Sequence, residues 1–222
     1  GTDWEQGYGF QFWRCTHGAY RADGANGQLT VVLPNEDMVV SIHAGLGDMQ
    51  VELNLIWDYL LPAMKDAPLP ENPAAQKKLA DRLAKLAIKP LNGSKLAAAN
   101  PEKIDRTFEL KDNARGFKSV RFESVPIGCF CTLVTRAGEQ KFPASFGAWT
   151  KGSIKIDTEN YEGLGGYIGE HKTAASCGFD KDGSFHLKAY LTGDTGWLEF
   201  KVKGGKLTGE FWAMGGCKLE SK

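Results

Sequence analysis

Residues 184–191 read Ser184-Phe185-His186-Leu187-Lys188-Ala189-Tyr190-Leu191, with Phe185, Leu187 and Ala189 on one side and His186, Lys188 and Tyr190 on the other. That alternation has the period of an extended strand, and it predicts a strand with one buried face and one wet face. The same period recurs at residues 117–123, 129–136, 196–202 and 206–212. Lys181-Asp182-Gly183 and Gly204-Gly205 supply tight turns between neighbours. From residue 105 onward this amounts to about eight strands without a helical period among them. The expectation for 105–222 is therefore an all-β antiparallel, barrel-like domain of lipocalin type. Residues 157–172 are Gly-rich and read as a long loop.

Toward the N-terminus the pattern changes twice. Tyr8, Phe10 and Phe12 alternate, a Gly-rich connection follows over 18–27, and Val/Leu-dense runs at 28–33 and 38–43 flank Pro34-Asn35-Glu36-Asp37. Those runs predict strands inside a covered sheet, joined by a turn. Met49, Leu53, Ile56, Trp57, Leu60, Leu61 and Met64 then fall on one helical stripe, with Asp48 placed to cap it. Pro62, Pro68, Pro70 and Pro73 mark a linker, inside which Asn72-Pro73 opens a second helix running to Ile88. The reading is thus α+β: antiparallel strands with a packed helix over 1–65, a linker with a helix over 66–104, and the barrel-like domain over 105–222.

Composition narrows the function. Lys+Arg and Asp+Glu both number 27, so no net field draws the chain to nucleic acid or to an anionic membrane surface. No apolar run reaches the length of a membrane-spanning helix. The five cysteines, Cys15, Cys129, Cys131, Cys177 and Cys217, lack the spacing of a disulfide framework and read as small buried side chains. Cys129 and Cys131 share one side of a strand but lack two further zinc ligands, and His17, His43, His171 and His186 stand singly. No metal or cofactor is expected. Gly163, Gly165, Gly166 and Gly169 follow no buried strand and open no helix, unlike a dinucleotide loop. No serine lies in a Gly-x-Ser-x-Gly or Ser-x-x-Lys frame, so the chain carries no recognisable serine nucleophile. The first residues, Gly1-Thr2-Asp3-Trp4, are read as a processed or mid-protein start.

One stretch is more specific. Gly7-Tyr8-Gly9-Phe10-Gln11-Phe12-Trp13 is followed by Ala22-Asp23-Gly24-Ala25-Asn26-Gly27-Gln28, then by a strand, Pro34-Asn35-Glu36-Asp37, a strand and an amphipathic helix. Over residues 4–65 this resembles the closing third of the serine β-lactamase and penicillin-binding-protein superfamily, of the class C and esterase type. The resemblance implies a C-terminal portion of a bacterial, extracytoplasmic serine hydrolase acting through an acyl-enzyme, with a β-barrel appendage after the catalytic domain. It implies that the nucleophile and its base belong to an N-terminal catalytic segment, which is then a partner of this portion, and that this chain alone is inactive. Gly24 and Ala25 fall where the family has an oxyanion wall, the Ala25 N–H being one of two donors, with Tyr20, Asp23 and Asn26 along the substrate wall. The slot filled by Ala22-Asp23-Gly24 lacks the cationic side chain usual there. Gly24 and Gly27 equally suit a tight turn before a strand. The alternative function is a free-standing lipocalin-like module that holds a ligand or a partner chain. An exposed sheet edge along Tyr8–Trp13 or Met38–His43 also predicts a homodimer or an intramolecular covering contact.

Overall fold

The computed structural model describes residues 1–92, 104–156, 169–213 and 216–222. The chain divides into two compact units, 1–87 and 88–222. The Gly163, Gly165 and Gly166 part of the expected loop lies outside the described residues.

In the first unit five strands form an antiparallel sheet in chain order. They are β1 (Tyr8–Gly9), β2 (Phe12–Arg14), β3 (Tyr20–Gly24), β4 (Gln28–Leu33) and β5 (Met38–His43). Register puts Arg21 opposite Val31 and Val31 opposite Val40, with Leu29 opposite Ile42 and Leu33 opposite Met38, so these side chains line one face. Across that face lies α1 (Gln50–Leu55), continued by a wider turn at Ile56–Leu60 and a tighter one at Leu61–Ala63. The residue flanking the helix is Met49 rather than the expected Asp48, whose carboxylate nonetheless accepts the Gln50 N–H of the first turn at 3.0 Å. Leu53, Ile56 and Trp57 bury against Leu29, Val31 and Leu33. The opposite face stays open, with Phe12, Tyr20 and Val39 exposed.

A buried polar knot ties the first residues to this layer. The Asp3 carboxylate accepts from Thr16 N and Thr16 Oγ1, both at 2.8 Å, from Gln50 Nε2 at 2.6 Å and from Trp57 Nε1 at 3.0 Å. Beside it Arg21 is fully buried, stacked under Trp4 at 4.3 Å and paired through Nε with Asp23 Oδ2 at 3.0 Å. The second helix, α2 (Pro73–Leu83), begins at an Asn72 cap but stops short of Ile88, and its Leu79 and Leu83 stay exposed. A helix with no buried face has only propensity to extend it.

Among its described residues the second unit is a strongly curled sheet of ten strands. In chain order they are β6 (Arg106–Glu109), β7 (Ser119–Val125), β8 (Gly128–Thr135), β9 (Gly138–Phe146), β10 (Thr150–Ile156), β11 (Gly169–Phe179), β12 (Phe185–Leu191), β13 (Trp197–Lys203), β14 (Lys206–Trp212) and β15 (Gly216–Glu220). A bridge between Leu110 and Ser221 draws its two ends together. The curl packs the inward positions of every strand against one another, and rings fill the centre. Phe122 meets Phe108, Phe185 and Phe200 at centroid distances of 6.1, 5.2 and 5.9 Å. All five cysteines are buried and free, Cys129, Cys131, Cys177 and Cys217 within this core.

The sheet departs from the all-antiparallel expectation at one place. β9 and β11 run parallel where Ser145 faces Ser176 and Phe146 faces Cys177. The cause is β10, which folds back antiparallel on the first half of β11 and leaves its second half to β9. Residues 88–92, expected in the linker, belong to this unit: Trp149 Nε1 donates to Ile88 O at 2.7 Å, and Leu91 N donates to Ser176 Oγ at 3.2 Å.

Candidate functional site

The hairpin joining β3 to β4 carries most of the residues singled out above. Gly24 and Gln28 are the last paired positions. Asn26 and Gly27 both turn with positive φ, 68° and 92°, the pattern favoured by an Asn-Gly turn. Gly27 is thus required by the turn. Gly24 has no such torsion; what crowds it is the Gln28 side chain, 3.3 Å from where a Cβ would sit. The Gln28 amide also donates to Ala25 O at 3.2 Å, fixing the loop.

Beside this hairpin the sheet edge has no paired strand among the described residues. β2 pairs with β3 only at Tyr20 and Arg21. Because Cys15 N donates to Ala19 O, alternate residues Ala19, Arg21 and Asp23 direct their N–H and C=O toward the β2 side. At Asp23 no strand stands there among the described residues, and Ala25, two residues on, is exposed. By continuation of the register, the turn at Phe10 and Gln11 approaches this edge, both residues left-handed and Phe10 wholly exposed.

The expected wall does not assemble as one surface. Gly24, Ala25 and Asn26 share the loop. Tyr20 lies at the far end of β3 on the open face, its ring edge-on to Phe12 at 5.6 Å. Asp23 turns its carboxylate to the helix side, where Arg21 holds it. Two strand positions apart put Arg21 and Asp23 on the same face, so this pairing was available in the sequence.

Sequence reasoning missed Glu52. This α1 residue is only 4% exposed, and neither carboxylate oxygen has a hydrogen-bond partner. Both oxygens would stand 2.6 Å from a Cβ at Gly27, so the carboxyl floors the hairpin loop. Burial without a donor pushes its pKa up. The stripe was read from its apolar members alone, and Glu52 stands beside Leu53 without a signal of its own in the sequence.

Elsewhere His17 packs on the Trp57 ring at 5.0 Å, and His186 pairs with Asp180 at 3.0 Å. Among the described residues no cluster of His, Cys, Asp and Glu is arranged to hold a metal ion, and no helix is long and apolar enough to cross a membrane. Among the described residues of the second unit, one groove of about 330 Å³ lies on the outer surface beside Trp197, Glu199, Lys201, Glu210 and Lys218. No protein-family model matches this chain, and no curated protein matches it.

Proposed function

We propose that the first unit is the closing part of a serine-hydrolase catalytic sheet, of the β-lactamase and penicillin-binding-protein type, and that the hairpin 24–28 forms one wall of an acyl-transfer site. The observation that carries this reading is the bare edge at Asp23–Ala25. Ala25 is exposed in a loop that the Gln28 amide fixes, and an oxyanion donor needs a positioned backbone N–H rather than any particular side chain. The serine nucleophile and its base come from an upstream catalytic segment of a longer protein, set against this edge. In the reaction the serine oxygen attacks an acyl carbonyl, its proton passes to the base, and the developing oxyanion is shared between the Ala25 N–H and a second donor from that segment. The Arg21–Asp23 pair leaves no cation at this wall for a substrate carboxylate, which favours esters or neutral amides over penicillin-like acids.

The other reading, a lipocalin-like ligand carrier, has less support. Phe122, Phe142, Phe185, Phe200 and Phe211 fill the inward positions where a ligand would need space.

The test has two arms. This chain alone gains no mass with a fluorophosphonate and turns over neither nitrocefin nor activated esters. The longer protein is labelled, and Ala25→Pro, which removes the donor, slows labelling by about 10²–10³-fold. An adduct on a serine of this chain alone refutes the reading. Unchanged labelling of Ala25→Pro in the longer protein removes the oxyanion role.

A further inference from the structure

Glu52 is buried in the first unit with nothing to hold its charge. Both carboxylate oxygens are closed to solvent and lack a hydrogen-bond donor. What they touch is Gly27, where a Cβ would stand 2.6 Å from each of them. While Gly27 covers them, no segment from outside this chain can reach them. Gly27 is itself buried, at the tip of the hairpin that carries Ala25. That tip is bonded to the segment leading into α1. Ala44 N donates to Gly27 O and Leu46 N to Asn26 O, both at 3.0 Å. Further along the same ladder, Ile42 and Val40 bond to β4 opposite Leu29 and Val31.

The two elements that meet at Glu52 are unequally held. Leu53, Ile56 and Trp57 anchor α1 in the core, and Gln50 and Trp57 bind it to Asp3. The hairpin tip rests on the bonds from Ala44 and Leu46, across a loop whose Ala25 is exposed. A charge appearing on Glu52 therefore displaces the tip and not the helix. Residues 24–28 bring no ionisable side chain to meet that charge. The charged groups around it are engaged elsewhere: Asp23 with Arg21, Asp48 on the Gln50 N–H, and Asp3 on Gln50 and Trp57. His43, opposite Gln28 at the end of β5, is exposed. Burial is what raises the Glu52 pKa above 4.5.

We infer that Glu52 is a positioning residue for the hairpin and works as a proton-controlled latch. As a neutral carboxyl it seats the Asn26-Gly27 turn; as a carboxylate it opens the turn to water, since a buried charge without a partner is too costly to keep. The O–H bond is the one that breaks, and its proton passes to bulk water. The seat is fully present below 4.5 and is lost as pH rises through the raised value. Its consequence for the Ala25 wall, ordered in mildly acid solution and loosened as pH rises, rests on the acyl-transfer reading. The latch itself belongs to this chain alone.

Amide exchange of the full chain over roughly pH 4–8, corrected for the intrinsic rise in exchange rate, tests it. Protection at Ala44 and Leu46 should fall by up to about tenfold per pH unit between 4.5 and the raised value. The opening is local, so these two amides should exchange faster than Val40 and Ile42 and respond less to low urea. Glu52→Gln keeps the shape and cannot ionise, so the fall should vanish. Glu52→Met should remove it too, and it decides the matter if the glutamine variant does not fold. A flat profile in the parent chain overturns the inference. So does a fall that both variants retain, or exchange at Ala44 and Leu46 as slow and as urea-dependent as at Val40. Each of these outcomes leaves the acyl-transfer reading standing, because that reading is tested by labelling Ala25→Pro in the longer protein.

Discussion

Replacing Asp3 by alanine should cost the first unit more than any other single change near its N-terminus. The carboxylate takes four hydrogen bonds from three residues on two elements, at 2.6–3.0 Å. Thr16 and Gln50 are near enough to the surface to turn to water after the change. Trp57 Nε1 is buried and cannot, so it bears the full cost of an unmet donor, about 1–3 kcal/mol. Each lost charge-assisted bond to Thr16 and Gln50 adds a smaller amount, and fully buried Arg21 is left with Asp23 alone against its charge. The sum is about 3–4 kcal/mol, against the roughly 4–13 kcal/mol usual for a unit of this size. For a domain this small it lowers the midpoint by about 12–30 °C. Urea and thermal unfolding, followed by tryptophan fluorescence and by amide exchange in each unit, would measure it. Asp3→Asn should be nearly as damaging, because its NH₂ meets donors whichever way it turns. Burial raises the Asp3 pKa, but the bonds from Gln50, Trp57 and Thr16 outweigh that and hold it below 3.8. Its stabilisation is therefore present above the unfolded value and lost as pH falls through the depressed one. Asp3→Ala should remove that acid dependence. An Asp3→Ala protein within about 1 kcal/mol of the parent, with the same acid limb, refutes the reasoning.

Glu52 should act in the opposite sense. With its pKa raised above 4.5, its contribution is full below that value and is lost as pH rises through the raised one, so Glu52→Gln should flatten the fall in midpoint between weakly acid and neutral pH in thermal melts. Gly27→Ala strains a φ of 92° and drives a methyl against the Glu52 carboxylate; chemical denaturation should show a loss of about 2–4 kcal/mol, with Gly7→Ala, which meets nothing, losing less. Burial raises the Cys15 thiol, and neighbouring Cys177 with burial raises Cys129 strongly. Titration with a disulfide reagent should therefore find almost no reactive thiol in the folded chain and all five after denaturation.

The legible parts of this fold were those where one period ran unbroken. Lys206–Trp212 was read with its observed bounds, and the stripe over 49–64 coincides with helical turns from Gln50 to Ala63, of which Gln50–Leu55 is α-helix. β6, β9, β10, β11 and β15 were not singled out. β9 carries Pro143, and β11 runs through Thr173-Ala174-Ala175-Ser176-Cys177-Gly178, whose small side chains show no alternation because most are buried on both faces. The parallel pairing of β9 with β11 was out of reach for the same reason, since nothing local specifies which strand completes the second half of β11. At the candidate site Asn26-Gly27 announced its turn, whereas the carboxyl beneath it comes from a helix more than twenty positions away and depends on tertiary packing.

The bridge at Leu110 and Ser221 also sets a schedule for synthesis. Its supporting ion pair, Lys111 with Glu220, joins residues 109 positions apart. At ribosomal speeds of about 5–20 residues per second, β6 and β7 wait roughly 5–20 s for the strand that seals them. During that interval the Phe108 and Phe122 side of the nascent sheet faces solvent, and ring closure over so long a loop is intrinsically slow. The second unit therefore keeps an open, aggregation-prone edge until its last strand is available, which gives a holding chaperone both the time and the surface to engage it.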